Sequence, residues 1–518
     1  MGYYDDFVRA VVSGDVTTRA GVLKLKAQLC KKHGLARVPT NHEILAQVPE
    51  ELRDVVGPLL MNKPVRTVSG VAPVAVMTSP YDCPHGRCAY CPGGVTSNSP
   101  QSYTGHEPAA LRATMNDFDP FRQTKSRMEQ LRAIGHRTDK VDLIVMGGTF
   151  TSRPEEYQEW FVKRCFDAMN GKDSSDLDAA HALNEAAPSR CVGLTVETRP
   201  DWFGDHQIDR SMRFGATKVE FGVQILDDKV LDGVKRGHNV SAVVDATERA
   251  KDAGLKICYH MMPGLPGSTR ENDLRSFARM FEDPRFRPDM LKLYPTLVVK
   301  GTELYERWAD GAYTPLTDEE GVSLLAEMKS MVPPWVRILR IQRDIPAGLI
   351  EAGIRKGHLR ELVAEKMVSE GRKCRCIRCR EVGHMHVDAD DASGEPVLQS
   401  IAYDASGGRE VFLSFEFENS GSLVGYARLR FPGGSETAHA FVRELHVYGP
   451  MVPIDDGPGP NWQHRGYGER LLSECERLAA EKGRSELRVT SGVGVRGYYR
   501  DLGYRRQGHY MAKTLRGP

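Results

Sequence analysis

Apolar and polar positions change their spacing three times along this chain. Residues 1–65 read as short helices with a polar exterior. From 66 to 370, short apolar runs recur at 71–77, 141–146, 191–196, 218–223, 256–260 and 290–293, separated by stretches of helical spacing. Each run has the length of a buried strand. Each leads into a polar or Gly/Pro motif: SPYDCPHGRC, GGTF, ETRPD, QILDD, MMPGLPGS and YPTLVVKGT. Strands alternating with helices predict a parallel sheet, and the motifs place chemistry at the carboxyl ends of its strands. A linker at 371–400 holds CRCIRC and DADDASGEP. Beyond 401 the pattern becomes alternating runs at 411–417 and 423–429, then a helix, a strand and a further helix.

The predicted architecture is a multidomain α/β protein. It has a helical segment at 1–65, a partial (β/α)6 TIM-like barrel at 66–370, a cysteine-bearing linker at 371–400 and an α+β domain at 401–518. Six repeating units instead of eight imply an open barrel. A length of 518 residues accommodates three or four domains. Hydrophobic residues at 40% and charged residues at 27% are ordinary for a soluble globular chain. Lys+Arg at 70 against Asp+Glu at 69 points to no global partner, so any nucleic-acid surface must be local. No apolar run reaches 18 residues, which argues against a membrane span. The start, MGYYDDFVRA, carries acids where a signal peptide would be basic and then apolar, so a cytoplasmic protein is expected.

Two local stretches are basic. Residues 19–37 carry Arg19, Lys24, Lys26, Lys31, Lys32 and Arg37 with no acid, and Leu23, Leu25, Leu29 and Cys30 could form the apolar side of that helix. Residues 355–380 carry nine basic residues, Arg372 and Lys373 among them, against three acids. Either stretch is a solvated face or a phosphate-contacting patch, and the second argues for RNA more strongly.

Six of the eleven cysteines lie in two tight clusters, which in a reducing compartment reads as metal ligation. Cys30, Cys165, Cys191, Cys258 and Cys475 are isolated and read as core. Cys83, Cys88 and Cys91 have the spacing C-x4-C-x2-C, with Tyr90 before the last. Three thiolates in one loop can hold three irons of a 4Fe–4S cluster and leave the fourth open for S-adenosylmethionine, SAM, as in radical SAM enzymes. The competing reading is a zinc knuckle completed by His85. Gly147, Gly148 and Thr149 end the second strand, where backbone without Cβ atoms could meet a ligand amine. Glu197 and Arg199 end the third and could grip ribose and carboxylate. Cys374, Cys376 and Cys379 form C-x-C-x2-C, a spacing that favours zinc, with His384 or His386 as a fourth ligand and a second iron–sulfur cluster as the alternative.

Near the carboxyl terminus, Gln463 to Gly468 reads Q-x-x-G-x-G ahead of a helix with Leu471, Leu472, Cys475, Leu478 and Ala479 at helical spacing. Such a helix start aims free N–H groups at a pyrophosphate. A strand at 443–447 precedes it; a strand at 487–490 and the stretch Gly497 to Tyr504, GYYRDLGY, follow. This order resembles the GNAT acetyltransferases, which bind acetyl-CoA. One of Tyr498 and Tyr499 is then expected in the core and the other at the thioester.

Taken together, CPHGRCAYCPGG, QSYTGHEPAALRA, VMGGTF, ETRPD, RIQRDIPAGLIEAG, CRCIRCREVG, RELHVYG and SGVGVRGYYRDLGY make the chain similar, over nearly its whole length, to the catalytic subunit of Elongator in its single-chain archaeal and bacterial form. The loop is the short form, whereas eukaryotic members have a longer gap between the first two cysteines. The resemblance implies an enzyme that forms 5-carboxymethyluridine at the anticodon wobble position of tRNA from acetyl-CoA, using a deoxyadenosyl radical from SAM. It implies a cluster on Cys83, Cys88 and Cys91 and zinc on Cys374, Cys376 and Cys379. Acetyl-CoA contacts are implied at Lys140, Glu444, Leu445, His446, Val447, Tyr467, Gly468, Glu469 and Tyr499, with Tyr499 near the reacting thioester. Lys140 belongs to the barrel, so the two domains should meet over the thioester. Lys24, Lys26, Lys31, Lys32, Arg37, Arg372 and Lys373 would hold the anticodon stem-loop. Accessory Elongator subunits are not expected, and a homodimer is compatible with the pattern. A protein lysine acetyltransferase and a non-catalytic tRNA-binding scaffold are the competing functions.

Overall fold

A computed structural model describes residues 2–62, 66–384, 394–434, 437–449 and 465–515. Four helices open the chain: α1 (Tyr3–Val12), α2 (Arg19–Lys32), α3 (Asn41–Leu45) and α4 (Arg53–Leu60). Thr18 caps α2 by accepting from the Gly21 N–H at 3.1 Å, and Thr40 and Glu43 form a capping box on α3. The inward face of α2 is Val22, Lys26, Leu29 and Cys30. Leu23, expected inside, is 68% exposed. The helical period selects 22, 26, 29 and 30 as one stripe, and 23 falls outside it. Lys26 is therefore buried, and its Nζ donates to Asn41 Oδ1 at 2.8 Å. This corrects the expectation that Lys26 faces RNA.

The barrel strands are β1 (Ala72–Met77), β2 (Lys140–Met146), β3 (Arg190–Thr198), β4 (Lys218–Gln224), β5 (Lys256–Met261) and β6 (Met290–Leu293). After the short β7 (Val298–Val299) comes β8 (Arg337–Arg340), and then β9 (Ile350–Ala352), which pairs with β7. All neighbours in the order β1-β2-β3-β4-β5-β6-β8 are parallel, forming an open barrel of seven strands. Each of the six expected runs is a strand. The seventh, Arg-Ile-Leu-Arg, has only two apolar residues and carries almost no periodic signal.

The second domain is a mostly antiparallel sheet of β10 (Val397–Ala405), β11 (Gly408–Glu416), β12 (Leu423–Phe431), β13 (His439–Val447), β14 (Glu486–Val489), β15 (Arg505–Gln507) and β16 (Tyr510–Thr514). Strands β13 and β14 are parallel, and their pairing ends at Val442 and Val489. A bulge between Arg428 and Leu429 of β12 leaves Arg443 as the extra residue of β13. The helix Tyr467–Glu481 packs Tyr467, Leu471, Leu472, Cys475 and Ala479 against the sheet.

This domain covers the amino ends of the barrel strands. Among its contacts are Ser69, Arg190, Val192, Ala253, Leu255, Asp289 and Arg337, each at or near the start of a barrel strand. A Cβ on Gly492 would come 2.2 Å from the Val192 carbonyl oxygen, so only glycine admits this approach. Arg443 binds Asp289 through two hydrogen bonds of 2.7 Å and Glu410 through two of 2.8 and 3.3 Å. Arg430 reaches Glu410 at 2.9 Å, and Arg428 reaches Glu444 at 2.8 Å. The three arginines, Asp289 and Glu410 are fully buried.

At one edge of the interface Arg337 clasps Glu381 and donates to Tyr448 Oη at 2.6 Å. Burial acts to raise the Glu381 carboxyl, but Arg337 outweighs it and lowers the pKa from 4.5 to about 2. A depressed carboxylate stabilises the fold fully above its unfolded value and loses that contribution as pH falls through its folded one. Glu381→Gln is expected to flatten acid unfolding between about pH 5 and 2; an unfolding curve parallel to the parent's would refute the linkage. Among the described residues no helix is long and apolar enough to cross a membrane.

Candidate functional site

The first cysteine cluster lies just beyond the carboxyl end of β1. Its loop is pinned by Ala89, whose N–H donates to the Val234 carbonyl at 3.0 Å and whose carbonyl accepts from Leu304 at 2.8 Å. Cys88 and Cys91 are buried and Cys83 is partly exposed. Cys83 Sγ lies 3.3 Å from Thr149 Oγ1, and Cys91 Sγ accepts from the Ser102 N–H at 3.1 Å. Burial pushes the Cys83 and Cys91 thiols up.

Gly147 and Gly148 take φ of 130° and 90°. A Cβ on Gly147 would overlap Thr78 Oγ1 at 2.1 Å, and one on Gly148 would stand 3.7 Å from Cys83 Sγ. Both positions keep bare backbone beside the thiols. Sulfurs sharing one zinc at about 2.3 Å lie about 4 Å apart. Among the described residues the three thiols of this loop do not form a group within 4.8 Å, whereas Cys374, Cys376 and Cys379 do. The wider set fits an iron–sulfur cube better than a single zinc. Cys83 and Tyr90 line one cavity together with Gly148, Thr149, Glu197 and Arg236.

Within that cavity wall Arg199 is already engaged. Its guanidinium grips Asp201 at 2.9 and 2.6 Å and donates to the Arg236 carbonyl at 2.8 Å. It is a fixed charge in the wall, not a free fork for a carboxylate. Glu197 accepts from Tyr103 Oη at 2.8 Å and from Lys292 Nζ at 3.2 Å. Lys292 also contacts Glu220, which holds His260 at 2.8 Å and Lys218 at 3.3 Å. Burial raises Glu220, but Lys292 and Lys218 outweigh it and hold the carboxylate well below its usual range. The sequence reading missed Tyr103, Glu220, His260 and Lys292. For Glu220, His260 and Lys292 the signal was polar side chains two apart inside apolar runs, Lys218 with Glu220 and Cys258 with His260, and a lone lysine in 290–293; Tyr103, in a loop, had none.

The acetyl-CoA residues expected from the sequence gather at the other end of the barrel. Lys140 begins β2, paired with Arg190, and burial lowers its pKa to about 8. Six residues lie between it and Gly147, a rise of about 23 Å at ~3.3 Å per residue. Glu444 faces Arg428, and Lys256 and Arg428 hold its carboxylate low against the effect of burial. His446 Nε2 is 2.9 Å from the Ser69 carbonyl. Leu445 and Val447 are half-buried on the same strand. Glu444 and His446 are therefore both engaged by side chains and backbone at the domain interface.

Tyr467 is buried against Phe415, with Gly468 and the exposed Glu469 following it at the helix start. Gln463 and His464 lie outside the described residues. Tyr499 is 6% exposed and belongs to the core, while Tyr498 is 37% exposed, with its hydroxyl 3.0 Å from a Cβ placed on Gly468. The structure thus puts Tyr498, not Tyr499, over the glycine turn. Residue 499 lies beside 475 and 504 on the packed face of its helix, and 498 lies a third of a turn away.

Cys374, Cys376 and Cys379 bring their sulfurs within 4.8 Å. His384 turns to Glu381 at 2.9 Å instead of joining them, and His386 lies outside the described residues. Of the basic residues, Lys32 pairs with Asp6, Arg37 with Glu43 and Arg372 with Glu370. Lys24, Lys31 and Lys373 are exposed.

A thiol loop over an open parallel barrel, joined to a sheet whose two parallel strands diverge beside a glycine-led helix, defines a radical SAM protein fused to an acetyltransferase domain. The Radical SAM superfamily matches residues 78–279, a Radical SAM C-terminal domain 288–369, the ELP3 N-terminal domain 3–68 and the Acetyltransferase (GNAT) family 380–504. The chain is 49% identical over 519 residues to the tRNA uridine(34) acetyltransferase of Methanocaldococcus jannaschii, covering 97% of this chain and 95% of that one. It is 44% identical over 510 residues to human Elongator complex protein 3, covering 95% and 93%. The solved archaeal Elp3 of Methanocaldococcus infernus, lacking residues 1–46, superposes with a TM-score of 0.76 at 46% identity, covering 87% of this chain and all of that one. The chain belongs to the Elongator complex protein 3 family.

Proposed function

We propose that this protein modifies tRNA, forming 5-carboxymethyluridine at the anticodon wobble position from acetyl-CoA. When bound on Cys83, Cys88 and Cys91, a 4Fe–4S cluster supplies the electron that cleaves SAM to a deoxyadenosyl radical, which can abstract hydrogen from the otherwise inert acetyl methyl group. Gly147, Gly148 and Thr149 leave the backbone open to the SAM amine. Glu197, held by Tyr103 and Lys292, is oriented toward the same cavity as an acceptor for ribose hydroxyls. The glycine turn at 466–468 and the helix that follows suit the CoA pyrophosphate, with the Tyr498 hydroxyl beside Gly468 of that turn. Cys374, Cys376 and Cys379 would hold zinc, bracing the linker between the two domains.

One observation carries the reading: a radical SAM domain and an acetyltransferase domain stand in one chain that is 49% identical, over 97% of its length, to a tRNA uridine(34) acetyltransferase. The close packing of Gly492, three residues past β14, on the Val192 carbonyl of the barrel weighs against an open cleft for a protein lysine on that side.

The test is anaerobic incubation of reconstituted protein with SAM, acetyl-CoA, reductant and unmodified tRNA, followed by mass analysis of digested nucleosides. A carboxymethyl adduct on uridine that disappears without SAM is expected. Lysine acetylation without any SAM requirement, and no adduct, would overturn the proposal. For tRNA docking, Lys24→Glu with Lys31→Glu is expected to weaken binding and to reduce the slope of log K against log salt by about 1.5, at ~0.7–0.9 per lost phosphate contact. An unchanged slope would make α2 a solvated face.

A further inference from the structure

Two side chains converge on the buried sulfur of Cys88. His85 Nε2 lies 3.1 Å from it and Arg236 Nη1 3.7 Å. Arg236 is 7% exposed. Its Nε and Nη2 donate to the Gly222 carbonyl at 3.1 and 2.6 Å, which leaves Nη1 for the sulfur. Among the described residues no carboxylate pairs with Arg236; Cys88 and Cys83, beside it, are thiols that become thiolates on binding iron. A buried guanidinium without a counter-charge is strongly destabilising.

The surrounding backbone is shaped to admit both side chains. A Cβ on Gly222 would come 2.5 Å from Arg236 Nη2. A Cβ on Gly237, at φ +75°, would come 2.7 Å from His85 Cβ. The arrangement is therefore built into two separate segments of the barrel.

We infer that Arg236 and His85 are positioning residues that donate to the Cys88 sulfur and set the reduction potential of the cluster. The inference rests on Cys83, Cys88 and Cys91 being cluster ligands. Reduction adds one negative charge to a group already carrying three thiolates. A fixed cation in a low-dielectric wall stabilises the more negative state, and hydrogen bonds to sulfur act in the same direction. Both residues therefore raise the potential, and their removal lowers it.

The test is a redox titration of the full-length protein, reconstituted and matched for iron and sulfide, with the reduced cluster followed by its paramagnetic resonance. Arg236→Gln is expected to move the midpoint to a more negative potential, Arg236→Lys to move it less, and His85→Ala to move it in the same direction by a smaller amount. A folded Arg236→Gln protein that takes no cluster, with loading restored in Arg236→Lys, would equally support the charge argument. A fully loaded Arg236→Gln protein with the parent midpoint would overturn it, as would loss of loading in both Arg236 variants. Should Arg236→Gln fail to fold, an unchanged midpoint in His85→Ala would overturn it. Parent protein that binds zinc and no iron would instead refute the cluster assignment itself.

Discussion

Cys88→Ala is expected to reduce deoxyadenosine formation from SAM to background while leaving a folded protein that still binds tRNA. Cys88 is one of three thiols in a loop that must supply three iron ligands, so a single deletion leaves a site too poor to hold the cube. Its surroundings make it the most constrained of the three, with His85 and Arg236 both directed at its sulfur. Losing the sulfur also removes the acceptor of Arg236 Nη1, so about 1–3 kcal/mol of stability is expected to go with it and the melting temperature to fall by several degrees. Iron per chain, deoxyadenosine yield and tRNA affinity measure the three parts separately. Deoxyadenosine production equal to the parent's would remove Cys88 from the cluster.

Asp289→Ala is expected to destabilise the protein by about 3–5 kcal/mol. Asp289 is fully buried, accepts two hydrogen bonds from Arg443 and one from the Ile257 N–H, and stands 3.9 Å from Lys251 and 3.7 Å from Arg428. Its loss strands up to three cations where water cannot reach them. Burial works against the Asp289 carboxylate, but Arg443 and Lys251 outweigh it and hold it far below the usual range. The stabilisation is therefore present above about pH 4 and decreases as pH falls below that value. Denaturant unfolding at pH 7 reads the loss directly. A change under about 1 kcal/mol would mean that the domains are held mainly by apolar contact, not by these ions.

Several features were legible because they are local. A C-x4-C-x2-C loop needs only a short span to bring three sulfurs to one place, and the glycine pair needs only its own φ values. Helical spacing placed Leu471, Leu472, Cys475 and Ala479 inside, as observed. The same reasoning failed on α2, where Leu23 fell outside the stripe and Lys26 fell within it. Burial of a lysine there depends on Asn41, a partner 15 residues away that no periodicity reveals. Arg428, Arg430 and Arg443 would be read as solvent-facing positions of alternating strands, yet all three are fully buried. The bulge at Arg428/Leu429 and the barrel face opposite them account for the difference, and neither has a signature in the strand itself.

The sequence by itself determined the parts of this protein: the parallel barrel, the two cysteine clusters, the glycine-led helix and the family to which they point. Each depends on residue types at short spacing, where backbone geometry leaves little choice. Tertiary structure alone decided how the parts are used. It placed the acetyltransferase-like domain on the amino ends of the strands, the length of β2, about 23 Å, from the glycines beside the thiol loop. It also turned polar residues of several strands into one network of Lys292, Glu220, His260 and Glu197. Such relations join residues tens to hundreds of positions apart. They arise because buried charges must find partners wherever the closed fold brings them together.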